Sequence, residues 1–141
     1  MKMLNKKAAE IAQKFKPNAV TDVTGFGLVG HLIEICNASN VSAKINFNSI
    51  ELLPGTVKFL EQGIMPGGSK RNLKHAENFT IFNSKLTYNQ KLITCDAQTS
   101  GGLLITLSNK NASKFIEEFG KKAKIIGEIT SRKNNSVIVE L

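Results

Sequence analysis

The sequence predicts an α+β domain, with helices packed on a mixed, mainly antiparallel sheet. Three observations carry this. The chain has 141 residues, of which 41% are hydrophobic and 21% charged, which suits one globular domain around a single core. Val41, Ala43, Ile45 and Phe47 alternate with Ser42, Lys44 and Asn46, the pattern of a half-buried strand. Leu28, Val29, Leu32, Ile33 and Cys36 instead recur at helical spacing as a broad apolar stripe, so residues 26–37 read as a helix with a buried face. Helical and strand segments do not alternate strictly, which argues against a parallel α/β fold.

The elements follow in chain order. Residues 5–15 form a helix through Ala8, Ile11, Ala12 and Phe15, and Pro17 stops it. Residues 19–23 are a short strand, followed by a glycine-bearing turn and the helix 26–37, with Asn37 and Asn40 as terminators. After the strand 41–47, Pro54-Gly55 opens a short helix through Val57 and Leu60 that closes near Gly63. The stretch "MPGGSKRN" reads as irregular, and the polar region up to residue 89 holds one short strand at 79–82. Residues 92–95 read as a strand leading into a loop, and 103–108 as a buried strand. Residues 109–119 form a helix with Phe115, Ile116 and Phe119 inward and Gly120 at its end. Residues 124–130 and 137–141 are strands around Asn134-Asn135, a pattern that predicts a terminal hairpin.

The net charge is +8, but Lys6-Lys7, Lys14, Lys16, Lys70-Arg71 and Lys121-Lys122 are scattered and not interleaved with aromatics. This describes a solvated basic surface and argues against a nucleic-acid partner. Met1-Lys2-Met3 leads into a polar, amphipathic stretch and no run is long and apolar enough for a bilayer, so the expectation is a cytoplasmic protein with no membrane partner. Cys36 and Cys95 are far apart and read as reduced, buried thiols, with Cys95 the more exposed of the two. With two histidines and no close Cys/His cluster, a transition-metal site is not expected.

Three glycine-bearing stretches could carry chemistry. In "TDVTGFGLVGH", Asp22 ends a strand and Thr24, Gly25 and Gly27 precede a helix. Unpaired N–H groups and the positive helix end suit a phosphate there, glycines allow close approach, and a carboxylate alongside suits Mg²⁺. A tight turn with Thr24 as N-cap explains the same residues, and spacing alone leaves both readings open. In "CDAQTSGGLL", Thr99, Ser100, Gly101 and Gly102 could form an anion-binding nest or a β-bulge, and Asp96 a second metal ligand or an Asx-turn acid. In "PGGSKRN", Lys70 and Arg71 beside two glycines could clamp a phosphate or sit on a surface loop. No nucleophile with an attendant base stands out.

"TDVTGFGLVGH" and "CDAQTSGGLL", in this order and separation, resemble selenophosphate synthetase (selenide, water dikinase), and "PGGSKRN" is similar to that family's Gly-Gly…Asn loop. The resemblance covers nearly the whole chain and implies the C-terminal domain fold of the aminoimidazole ribotide synthetase-like ATP-binding superfamily. It implies that residues 1–141 match the C-terminal half of a two-domain synthetase. The reactive cysteine or selenocysteine and its lysine are then expected in an N-terminal domain that this sequence does not match. The implied reaction takes selenide, ATP and water to selenophosphate, AMP and phosphate, in a full-length homodimer. By the same resemblance Asp22 is the Mg²⁺ ligand from this half. Thr24, Gly25, Gly27, Thr99, Ser100, Gly101 and Gly102 then bind nucleotide phosphates, and the isolated domain is inactive. The alternatives are another superfamily member, of the aminoimidazole ribotide synthetase or hydrogenase maturation type, or a non-catalytic phosphate-ligand binding domain. A domain that normally packs on another half is also expected to show exposed apolar surface.

Overall fold

The computed structural model describes residues 4–120 and 122–141; the readings placed on Met1-Lys2-Met3 and Lys121 lie outside the described residues. The element order is α1 (Lys6–Lys14), β1 (Ala19–Asp22), α2 (Gly27–Ala38), β2 (Val41–Asn46), a 3-10 turn (Phe47–Ser49), α3 (Thr56–Glu61), α4 (Gly67–Ala76), β3 (Thr80–Phe82), α5 (Tyr88–Thr94), β4 (Leu103–Thr106), α6 (Asn109–Phe119), β5 (Gly127–Ser131) and β6 (Val137–Glu140). The α+β class is as the sequence predicts.

The strands form two sheets. A ribbon pairs β1 antiparallel to β4, and a four-stranded sheet has the order β3-β6-β2-β5. In the larger sheet β6 runs parallel to both β3 and β2, while β2 and β5 are antiparallel. The expected terminal hairpin is therefore corrected: β5 and β6 flank β2 and do not pair with each other. The physical reason lies in β2. Its Ala43 and Ile45 are buried and its ladder is filled on both edges, which a hairpin of β5 with β6 would deny it.

Two further readings are corrected. "MPGGSKRN" is not irregular: Pro66 fixes an extended N-cap and α4 begins at Gly67, with Ser69, Leu73 and Ala76 on its buried side. Residues 92–95 are not a strand but the end of α5, which opens on a capping box. Thr87 Oγ1 accepts from Gln90 N–H, and Gln90 Oε1 accepts from Thr87 N–H.

The large core lies between α2, α4 and α5 and the four-stranded sheet, built from Val29, Leu32, Cys36, Ile45, Leu73, Leu92, Val137 and Val139. A smaller core of Ile11, Ala12 and Phe115, backed by Phe15, Ile105 and Phe119, joins α1 and α6 to the ribbon. Strand β4 serves both: Leu104 packs in the large core and Ile105 against the small one, as period-two alternation requires. This fixes the loops before β4 and after β1 between two packed bodies of side chains. The expected exposed apolar surface surrounds α3, where Leu53, Val57, Phe59 and Ile64 are each at least half exposed. They flank a groove of about 390 Å³ lined by Phe59, Ile64, Met65, Leu92, Ser69 and Asp96.

Candidate functional site

The antiparallel ribbon brings the first two glycine stretches together. Asp22 ends β1 opposite Leu103, the first residue of β4. The pairing then continues past both strands. Val23 N–H donates to Gly102 O at 2.9 Å, Gly101 N–H to Val23 O at 3.0 Å, and Gln98 N–H to Thr24 O at 3.0 Å. Residues 22–27 and 96–102 are thus one junction, not two separate turns.

Gly27 and Gly101 make this approach feasible. Gly27 has φ +72, and a Cβ there would lie 2.5 Å from Cys95 C and 2.9 Å from Asp96 O. A Cβ on Gly101 would overlap the carbonyl oxygen of Val23. The N–H of Gly27 is bonded to Thr24 O and that of Gly101 to Val23 O, so both amides serve the junction itself. Gly25 and Gly102 differ, since a Cβ on either meets nothing within 4 Å. Among the described residues, the N–H groups of Thr99, Ser100 and Gly102 donate to no loop or side-chain acceptor, and Thr99, Ser100 and Gly102 are exposed.

The third stretch joins the same place through α4. Asn72 Nδ2 donates to both Gly25 O at 2.8 Å and Cys95 O at 3.1 Å, tying the two loops with one carboxamide. Ser69 Oγ donates to Asp96 Oδ1 at 2.7 Å and accepts from Ala97 N–H at 3.2 Å. From the other side, Asn5 Nδ2 donates to Gly101 O at 3.0 Å. Sequence reasoning missed Asn5 and Ser69, and noted Asn72 only as the end of the Gly-Gly…Asn stretch, without a role. The spacing of Ser69, Leu73 and Ala76, a helical i, i+4, i+7 stripe, is the signal that places Ser69 and Asn72 on a helix.

The carboxylates separate cleanly. Asp96 is fully engaged, accepting from Ser69 on one oxygen and from Gln98 Nε2 at 2.7 Å on the other, so it is a loop-holding acid. The Asp22 carboxylate is exposed and has no hydrogen-bond or ion-pair partner among the described residues. A hard, unpaired oxygen donor of this kind fits one ligand position of Mg²⁺, which takes one or two carboxylates and completes its shell with phosphate oxygens and water. Among the described residues no group of three or more His, Cys, Asp or Glu side chains could hold a metal.

Thr24 is not the N-cap of α2. That position is Phe26, which has no side-chain capping bond, and Thr24 Oγ1 lies 3.2 Å from His31 Nε2 instead. Both cysteines are unpaired and buried; Cys95, expected to be the more exposed, has no solvent exposure, because α5 and not a strand carries it inward. Burial pushes its thiol up to about 11, partly offset by the Thr94 hydroxyl, and burial raises Cys36 as well. A raised thiol stays protonated in the folded chain where the unfolded one ionises. Stability is therefore expected to be level to pH 8.5 and to fall between pH 9 and 11, by about 2 kcal/mol from Cys95. Urea midpoints across this range, compared with those of Cys95→Ala, check the expectation; an equal decline in the variant would contradict it.

Among the described residues no helix is long and apolar enough to cross a membrane. The family model described as AIR synthase related protein, C-terminal domain, matches residues 1–140. The chain is similar to proteins named selenide, water dikinase. One from Haemophilus ducreyi is 41% identical over 126 residues, covering 87% of this chain and 36% of that protein. One from Campylobacter jejuni strain RM1221 is 40% identical over 142 residues, covering 99% and 40%. One from Sulfurovum sp. is 41% identical over 142 residues, with the same coverage of 99% and 40%. The chain spans about two fifths of the length of these relatives.

Proposed function

The chain belongs to the AIR synthase related protein family, C-terminal domain, and on that footing we propose that it is the C-terminal domain of a selenide, water dikinase. In this reading it helps bind the phosphates of Mg-ATP while selenide is phosphorylated to selenophosphate, with AMP and phosphate as the other products. The observation that carries it is the junction of residues 22–27 with 96–102, which brings Asp22 and Thr24 next to the loop amides of residues 98–102. About 40% identity to proteins of that name supports it.

The roles divide as follows. Asp22 holds one position on Mg²⁺, which when bound screens phosphate charge. Thr24, Gly25, Thr99, Ser100 and Gly102 face the phosphates, with their hydroxyls and amides as donors to the negative charge that spreads in phosphoryl transfer. Gly27 and Gly101 act by letting the loops meet. The reactive cysteine or selenocysteine and its lysine belong to an N-terminal domain that would cover the apolar α3 face, and the full-length protein works as a cytoplasmic homodimer.

Fusion of the N-terminal three fifths of the Campylobacter jejuni relative to this chain tests the reading. Selenide-dependent AMP and selenophosphate, followed by phosphorus NMR, are expected from the fusion and not from the 141-residue chain alone. Turnover by the chain alone would overturn the half-enzyme reading. A folded but inactive fusion, beside an active relative, would leave a non-catalytic phosphate-binding domain in its place.

A further inference from the structure

Behind the Thr24 hydroxyl stand His31 and Glu34, two polar groups to which phosphate binding as described above gives no role. His31 is 9% exposed, on the buried side of α2 among Val29, Leu32 and Ile33. Its Nε2 lies 3.2 Å from Thr24 Oγ1 and its Nδ1 lies 3.2 Å from Glu34 Oε2. The ring leans on Phe26 at a centroid distance of 5.5 Å. The Glu34 side chain is 60% exposed, so the three groups run from solvent to the junction.

Hydrogen-bond bookkeeping gives the three groups two states. A neutral imidazole has one donor and one acceptor nitrogen, and a carboxylate only accepts. Nδ1–H therefore donates to Glu34, and Nε2 accepts from the Thr24 hydroxyl. Thr24 then donates inward and turns lone pairs toward the junction, which suits no anion. Once the ring takes up a proton, both nitrogens donate. Nε2–H occupies a Thr24 lone pair, the hydroxyl hydrogen is released to point outward, and Glu34 balances the imidazolium charge.

We propose that His31, oriented by Glu34, is a positioning residue that couples oxyanion binding at Thr24 to the uptake of one proton from solvent. This rests on phosphate binding at residues 22–27. Elements packed on α2 bring other charged groups: Lys70, Arg71, Lys74 and His75 on α4, Lys91 on α5, Lys44 on β2 and Glu140 on β6. Lys44 pairs with Glu140, Lys91 lies over Phe82, and His75 lies against Phe79. Lys70, Arg71 and Lys74 are exposed. Glu34 is the charged group bonded to the ring.

Calorimetric titration of the 141-residue chain with inorganic tripolyphosphate, in two buffers of different ionisation enthalpy at neutral pH, counts protons taken up. The chain has two histidines, so NMR of the ring protons assigns the uptake, with His75 as internal reference. The expected result is uptake of about one proton more than in Glu34→Gln or Thr24→Val. His31 signals should move to the imidazolium position on saturation while those of His75 stay, and binding should weaken roughly tenfold in Glu34→Gln. Glu34 is exposed, so that variant keeps the fold even if His31→Gln does not. Tight binding with equal proton uptake in all three proteins, or with unmoved His31 signals, overturns the coupling alone. No binding of tripolyphosphate overturns phosphate binding at this loop and the coupling with it.

Discussion

Gly101→Ala is expected to destabilise the chain by about 3 kcal/mol or more, lowering Tm by roughly 10 °C, although it adds a single methyl group. The added carbon would sit on the carbonyl of Val23, a residue held in the ribbon's extension by one hydrogen bond accepted at that oxygen and one donated by its N–H. No side-chain rotation relieves that overlap, so the loops must part. Gly27→Ala is expected to cost as much, since it adds an unfavourable φ to contacts with the Cys95 and Asp96 backbone. Gly25→Ala and Gly102→Ala are the controls, because their added carbons meet nothing within 4 Å. They should unfold within about 0.5 kcal/mol of the parent and yet, on the proposed reading of the loops as a phosphate site, bind tripolyphosphate more weakly. Thermal unfolding paired with calorimetric binding separates the two classes. Gly101→Ala with parental stability would contradict the packing of the junction.

Asp22→Asn is expected to produce the opposite pattern. Its carboxylate is exposed and unpartnered among the described residues, so removing the charge should change stability by less than about 0.5 kcal/mol. In the fusion with an N-terminal domain, selenide-dependent AMP formation should fall by about 10²–10³-fold, the scale for losing one group that stabilises transferring charge. Excess Mg²⁺ should recover part of the loss if the carboxylate holds the ion. A variant with full activity would remove Asp22 from the site. Asp96→Asn serves as contrast: two donors fill its oxygens, and its loss should appear in stability as well as in rate.

How far the sequence disclosed this depended on the range of the interaction. The helix before Pro17, the helix after Gly25, the alternating strand β2 and the helix ending at Gly120 are local patterns, and they stand within a residue or two of where periodicity put them. The partner of β5 was not legible, because β6 competes for the same neighbour and only burial of β2 decides. Helix α4 was obscured by Pro66, Gly67 and Gly68, which break an interior but are tolerated at a start. Helix α5 was obscured by Leu92-Ile93, although Thr87 and Gln90 spelled its capping box. At the site, composition pointed to the glycine stretches, whereas spacing could not separate glycines that pack on backbone from those that face outward. Nor could it show Asn72 reaching across, since its two acceptors lie 47 and 23 residues away.

The Asn72 carboxamide has a kinetic consequence. With Gly25 O and Cys95 O both held by it, the ordering entropy of the loops is spent during folding and not at encounter. If the proposed phosphate site is these loops, association should follow a single exponential whose rate is linear in concentration. Amide exchange at residues 96–102 should then slow only slightly on saturation.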